Sequence, residues 1–410
     1  MKPRAFFRPR LESLEDRWCP AINIDTLSIP GDLIITSIAG AQTDDLLVEQ
    51  TSAGDFDIIE NGGPATSVSG IFGNITIDLT TFPGSLDPTG IVLEFHLATQ
   101  DDFTGDLTIK VPNATSGHLV RIGASAGGAI IGDFDNPGNV VVTSGTGSDS
   151  LFIGSAPGGA FGPININGSV IVNLGAGNDL ATTRGSSVFN HVTMTNVNST
   201  QIGLTQSTLI EGNLVWNNVG DKTNVPGSFT LEDNSQVRGH VTISTNTRND
   251  TVLFDNGSDV QGNATLSLGH GVNSFTLDPD AMIRGDLSYI GGNQRDLVNL
   301  AGDSLVLGDA AFNLKSSGRF FGLQNELHLN GTILGDDITI IGGNGRDDVE
   351  FDTDAIGARV VATLGSGNDN FTLGAAAVFA TADVDGGFGA DVFINLLGPI
   401  PHPFALRRFP

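Results

Sequence analysis

Residues 334–394 read LGDDITIIGGNGRDDVEFDTDAIGARVVATLGSGNDNFTLGAAAVFATADVDGGFGADVFI. Three turn-like segments recur in this stretch: GGNGRDDVE at 342–350, LGSGNDNFT at 364–372 and GGFGADVFI at 386–394. Their sixth positions are Asp347, Asp369 and Asp391, each 22 residues after the last. A fixed period of this size marks a chain built from repeated supersecondary units.

Upstream a second marker keeps nearly the same step. It consists of Gly, a short polar residue, then alternating apolar positions: EGNLVW (211–216), RGHVTI (238–243), QGNATL (261–266), RGDLSY (284–289), LGDAAF (307–312) and LGDDIT (334–339). The glycines Gly212, Gly239, Gly262, Gly285, Gly308 and Gly335 lie 27, 23, 23, 23 and 27 residues apart. Asp250, Asn273 and Asp296 follow in step, 23 apart. Val, Ile, Thr, Leu and Phe fill the alternating positions, and helical periodicity is nearly absent. Each unit therefore reads as strand, Gly-rich turn, strand, turn and a short third strand. The expected fold is all-β: one long three-sided parallel β-solenoid with rungs of about 22–23 residues.

The regular part spans 131–398, with further turns SGTGSDSLF (144–152) and LGAGNDLAT (174–182), whose Asp149 and Asp179 are 30 apart and so imply an inserted loop. Residues 22–130 carry strand-like segments (GDLIIT, GNITIDL, VLEFHL, GDLTIKV) separated by longer loops. Atypical first rungs are expected where a solenoid must cap its open end. The end, 399–410, is proline-rich and is expected to fray.

Composition narrows the function. Of 410 residues, 46 are acidic and 19 basic, a formal charge of −27, which excludes a nucleic-acid binder needing a basic face. Cys19 is the sole cysteine, so no internal disulfide can form. No apolar run approaches the ~20 residues of a membrane helix.

Residues 1–21 differ from the rest. Lys2, Arg4, Arg8, Arg10 and Arg17 cluster there without the apolar h-region of an ordinary secretory signal. Arg8, Arg10, Leu11, Leu14, Glu15, Asp16, Arg17, Pro20 and Ala21 resemble the leader of many large surface and secreted proteins of planctomycete-type bacteria. That resemblance implies export and an extracellular or cell-surface location.

The turns resemble the G-G-x-G-x-D-x-U-x nonapeptide of the RTX (haemolysin-type) calcium-binding repeats. Segments 342–350 and 386–394 match every fixed position; 144–152, 174–182 and 364–372 lack only the first Gly; 291–299 has Gln294 at the fourth. The resemblance implies Ca²⁺ as cofactor, held by Asp347, Asp369 and Asp391, then Asp149, Asp179 and Asp296. The chain departs from that family because the motif comes once per rung rather than in tandem. Stacked carboxylates would then sit about one strand spacing apart, ~4.8 Å. Two bare charges there repel by roughly 1 kcal/mol in water and 3–4 at a half-buried surface. Such a column calls for a cation, protonation or hydrogen bonds from turn amides. Asn273 in the same register suits a metal-free alternative, in which Asx side chains cap their own turns.

Other patterns carry less. Gly269-His270-Gly271 is similar to the G-H-G of β-helix polygalacturonases, but the rest of that family's set is missing. Arg284-Gly285-Asp286 spells an integrin-type tripeptide that the marker frame already explains. Asp133-Phe-Asp135 starts like an EF-hand loop, with Ser144 where the bidentate Glu belongs. The sequence thus points to a non-enzymatic, adhesin-like structural protein with calcium-binding turns, its partners surface polysaccharide or other envelope proteins. The alternative is a carbohydrate-active β-helix enzyme, a lyase or glycoside hydrolase, which a cleft lined by acids plus Arg or Lys would favour.

Overall fold

The computed structural model describes residues 21–38, 45–81, 90–98, 103–113, 117–125, 129–133, 135–155, 161–197, 200–218, 226–246, 249–315, 324–330, 332–333, 335, 337–352, 356–375, 377–396 and 404–409. The leader expected over 1–21 lies outside them but for Ala21. Every regular element among them is a β-strand.

The strands form three sheets: two of 16 strands and one of nine short strands. The chain visits them in rotation. Strand Val192–Val197 lies in the first long sheet, Thr200–Thr205 in the second, Leu209–Ile210 in the short one, and Leu214–Asn218 is back in the first. Each strand pairs in parallel with its counterpart one circuit on, as Val192 with Leu214 and Ile202 with Phe229.

One column of register partners measures the repeat. It runs Val170, Val192, Leu214, Val241, Ala264, Leu287, Ala310, Ile338, Val360, Ala382 and Phe404. The steps are 22 or 23 residues, except 27 before Val241 and 28 before Ile338, where loops are inserted. The glycine marker gives 27 at the last of these because Ile338 lies three residues after Gly335, whereas Ala310 lies two after Gly308. The column continues upstream through Val140, Leu107, Ile75 and Leu33, at steps of 30 to 42. The irregular first part is therefore the same architecture with longer connections.

The two termini are finished differently. At the start, Ile22–Asp25 pairs antiparallel with Leu33–Ser37, and Asp45–Ser52, Asp55–Glu60 and Thr66–Val68 form an antiparallel meander on the second sheet. These pairings break the parallel register at the edge, a place where another chain could otherwise add on. At the end, where fraying was expected, Phe404–Arg407 pairs in parallel with Val378–Asp385.

Alternation places the core. In strand after strand, every second side chain is buried, as in Leu33–Ser37, Val241–Thr245 and Asp296–Leu300. Inward aromatics stack along the axis: Trp216, Phe229, Phe254, Phe275 and Tyr289 have successive ring centroids 5.6–6.2 Å apart. Phe351, Phe371 and Phe393 repeat this nearer the end, 5.5 and 6.2 Å apart. Rings one strand spacing apart fall within the range of favourable aromatic pairs.

The marker glycines sit where the backbone stacks on itself. The amide of Gly262 donates to the carbonyl of Gly239 at 3.0 Å, and a Cβ at Gly262 would lie 2.6 Å from that oxygen. A Cβ would be blocked likewise at Gly239, Gly285, Gly308 and Gly335, with the carbonyl oxygen of the preceding marker glycine 2.1–2.8 Å away. This close approach, rather than an unusual φ, requires Gly in the marker.

Candidate functional site

The six aspartates singled out from sequence occupy one corner of the fold, where the chain turns into the second sheet. Asp149, Asp179, Asp296, Asp347, Asp369 and Asp391 are each 3% exposed or less. They point inward, into the corner, not outward into a solvent-facing turn. Asp250, Asn273 and Asn325, equally buried, stand in the same column.

The column is a hydrogen-bonded ladder. The amide of Asp149 donates to Asp179 Oδ1 (3.0 Å), that of Asp347 to Asp369 Oδ1 (2.8 Å) and that of Asp369 to Asp391 Oδ1 (3.0 Å). In the middle, Asp250 N donates to Asn273 Oδ1 (3.1 Å) and Asp296 N to Asn325 Oδ1 (3.0 Å). The two asparagines pass the ladder on through their amide groups: Asn273 Nδ2 donates to Asp296 Oδ1 (3.0 Å), Asn325 Nδ2 to Asp347 Oδ1 (2.6 Å). The column breaks between its two runs, where Thr200 stands in register with Asp179 and Gly227 precedes Asp250. Each rung thus satisfies a backbone donor that the corner would otherwise bury unpaired.

The second carboxylate oxygens divide into two groups. Asp296 and Asp347 accept through Oδ2 from their own turns, from Gly292 N (3.1 Å) and Gly343 N (3.0 Å). This is the self-capping that the Asx reading describes. Asp250 Oδ2 accepts from the Thr245 hydroxyl (2.6 Å). The Oδ2 atoms of Asp149, Asp179, Asp369 and Asp391 are buried and meet no hydrogen-bond partner among the described residues.

Burial sets the electrostatics. It pushes the carboxyls of Asp179, Asp296 and Asp369 up to about 7 and that of Asp347 to about 6. Hydrogen bonds from the ladder and the turn pull the other way, and at Asp179 and Asp369 neighbouring aspartates add to the rise. A buried carboxyl flanked by another takes up a proton before it accepts an uncompensated charge.

The expected calcium site can be compared with this geometry. Ca²⁺ takes six to eight oxygens at about 2.3–2.6 Å. A circuit brings at most one carboxylate to this column, and where it does, Oδ1 already accepts a hydrogen bond. Among the described residues no three His, Cys, Asp or Glu side chains form a metal-holding group. The four unpartnered Oδ2 atoms, on the register neighbours Asp149/Asp179 and Asp369/Asp391, are the ladder oxygens left for a cation.

A rung that the sequence did not flag precedes Asp149. His118 is buried; its amide donates to Asp149 Oδ1 (2.7 Å), and its Nδ1 accepts from Ile91 N (3.1 Å). An imidazole nitrogen here replaces the Asx oxygen. No Gly-rich turn leads into His118, so only its place ahead of the strand Leu119–Ala124 could have marked it.

A second ladder runs along the residue after the marker glycine, with the opposite sense. His240 N donates back to Asn213 Oδ1 (2.8 Å), Asn263 N to His240 Nδ1 (2.9 Å), Asp286 N to Asn263 Oδ1 (3.1 Å) and Asp309 N to Asp286 Oδ1 (3.1 Å). This explains why the position is always short and polar, or His. The remaining motifs fall into place locally. Arg284 forms a two-point pair with Asp259 (2.9–3.1 Å), so the Arg-Gly-Asp tripeptide is tied into the sheet face. His270 contacts Asn293 Nδ2 of the next circuit at 3.0 Å. Asp133 caps its own turn through the amide of Asp135 (2.8 Å).

One polar cluster lies on the outer face of the second sheet, near its start. Glu94 pairs with Arg121 and lies 3.7 Å from His96 Nε2. Glu49 is the register partner of His96, and the Phe161 ring packs edge-on against that imidazole with centroids 4.3 Å apart. Burial holds the His96 imidazolium below its ordinary range, so the ring is neutral near neutral pH. Comparison with family models, with curated proteins and with solved structures finds no match to this chain.

Proposed function

We propose that the three sheets close into one long β-solenoid, that the chain is an exported, non-enzymatic, adhesin-like structural element of the cell surface, and that its aspartate column works as an internal hydrogen-bond ladder. The observation that carries this is the unbroken register from Leu33 to Phe404, with the polar corner zipped by Asp149, Asp179 and the run from Asp250 to Asp391. Such a body is stiff along its axis because each circuit contacts its neighbours through strands, aromatic stacks and two polar ladders. Its lateral faces are free to meet surface polysaccharide or other envelope proteins. Export rests on the leader's resemblance alone. Fusing residues 1–21 to a reporter tests it: recovery outside the cytoplasm supports export, and retention in the cytoplasm contradicts it.

Calcium binding is the second reading of the same column, and the unpartnered Oδ2 atoms of Asp149, Asp179, Asp369 and Asp391 favour it. A cation there would neutralise carboxylates that burial otherwise protonates. Melting in millimolar Ca²⁺ and in chelator separates the two, since a ligand confined to the folded state adds about 2.7 kcal/mol per site at a hundredfold excess over Kd.

A glycan-active enzyme draws support from one place, the Glu49–Glu94–His96–Arg121 cluster, which supplies acids, a neutral imidazole and a guanidinium on one face. Incubating the protein with acidic and neutral polysaccharides and assaying for new chain ends tests it. Release that disappears in Glu94→Gln would support the enzyme; no release from any substrate would leave the structural reading standing.

A further inference from the structure

We propose that the groove over Gly203, on the outer face of the second sheet, is a binding subsite for one neutral pyranose unit of a polysaccharide. Gly203 lies in the middle of strand Thr200–Thr205, between the buried Ile202 and Leu204, so its missing side chain would have pointed outward. Its register partners are Thr182 on one side and Thr230 on the other. A glycine inside a strand lowers stability and commonly marks a bulge, a close backbone approach or a ligand.

The first two causes are absent at Gly203. The ladder runs through it without a register shift, and its φ is not positive. A Cβ built there would meet nothing closer than Thr205 Cγ2 at 3.7 Å, an ordinary contact. Other glycines on these faces are accounted for. The marker glycines are pinned by carbonyls, and Gly123 makes room for Phe161, whose Cβ lies 3.0 Å from the position a Gly123 Cβ would take. At Gly203 only the open space above remains.

That space is a groove of about 300 Å³. It falls at the lower end of ligand-pocket sizes, enough for one sugar ring. The hydroxyls of Thr182, Ser228 and Thr230 and the amide of Gln201 rim it, a set suited to vicinal hydroxyl groups. Phe152, the register partner of Thr182, offers an aromatic surface for the apolar face of a ring. Arg184 and Glu232 also line it, and the guanidinium acts electrostatically on the carboxylate. With Asp233 beside them, acids outnumber the single cation, which disfavours an anionic sugar.

Alternative occupants fit less well. A peptide cannot add as a strand, because the strands on either side already pair with this one. The net charge of −27 opposes a nucleic acid. The subsite needs only the stacking of the second sheet, so it stands apart from whether the aspartate column holds calcium.

The test is native affinity electrophoresis of the full chain in gels cast with dextran, mannan or galactan, with polygalacturonate as the anionic comparison. At least one neutral polysaccharide should slow the parent twofold or more. Gly203→Val fills the groove with a good strand former and should restore full mobility, with a melting midpoint at or above the parent's. Thr230→Val removes one hydroxyl with little change of shape and should relieve at least half of the retardation. Equal retardation of parent and both variants, retardation by polygalacturonate alone, or no retardation by any neutral polysaccharide would overturn the proposal.

Discussion

The backbone amide of Asp347 donates to the side chain of Asp369 at 2.8 Å, one circuit further along, although both carboxyls are closed off from solvent. Asp369 in turn gives its own amide to Asp391 at 3.0 Å. The contact that was expected to be repulsive is thereby made into a support. The amide supplies the donor, and burial keeps the carboxyl near its neutral form.

Removing the acceptor should therefore be costly. Asp369→Ala leaves the Asp347 amide buried and unpaired, which costs about 1–3 kcal/mol. Chemical denaturation should show a lower midpoint with an unchanged slope.

The raised carboxyls fix the direction of the pH dependence. Asp179, Asp296 and Asp369 titrate near 7 and Asp347 near 6 in the fold, against 3.8 for an unperturbed aspartate. A group with a raised folded pKa contributes fully below its unfolded value and loses that contribution as pH rises through the folded one. Each tenfold change in proton affinity is worth about 1.4 kcal/mol. In chelator, the thermal midpoint should fall as pH goes from 5 to 8. Asp25, pulled down by the Ser28 hydroxyl, and Asp55, pulled down by Ser52, act in a separate window below about pH 4. A midpoint that rises from pH 5 to 8 would contradict the protonated column.

The marker glycines should not tolerate a methyl group. Gly262→Ala places a Cβ 2.6 Å from the Gly239 carbonyl, and overpacking of this kind costs typically about 1–3 kcal/mol. Gly203→Ala, with nothing closer than 3.7 Å, should be neutral or stabilising in the same melt. Equal effects at the two sites would contradict the stacking described for the marker.

In the core, Phe254 packs edge-to-face between Phe229 and Phe275, with ring centroids 6.1 and 5.6 Å away, and is fully buried. Phe254→Ala should lower stability by about 3–5 kcal/mol. Because each circuit contacts only its neighbours, hydrogen exchange should quicken most in the strands around 229–277.

The architecture was largely legible in the sequence, and the chemistry of the column only in part. The 22–23-residue intervals and alternating apolar positions lead directly to long parallel sheets, since a strand pairs with its copy one period later. The interval fails before Ile75 and Leu107, where long connections hide a column that the register makes plain. A lone aspartate per period reads equally as a metal ligand, a turn cap or a ladder rung. The choice depends on whether the side chain turns into the corner, which spacing alone does not encode. Asn273 was the visible hint, because an amide in the same register can serve a ladder. Asn325 and His118 extend the ladder without any Gly-rich turn before them, so no motif announces them. Likewise the polar residue after each marker glycine looks like turn composition until the amides of Asn263 and Asp286 are seen reaching back to the preceding circuit.

The most direct measurement is the melting midpoint of an Asp179→Asn/Asp369→Asn double variant at pH 8 in chelator. Asparagine keeps the Oδ1 acceptor and removes the buried charge, as Asn273 already does. The ladder predicts a midpoint at or above that of the parent, unchanged by millimolar Ca²⁺. A midpoint many degrees lower, with a parent that calcium strongly stabilises, would contradict it and make the column a metal site.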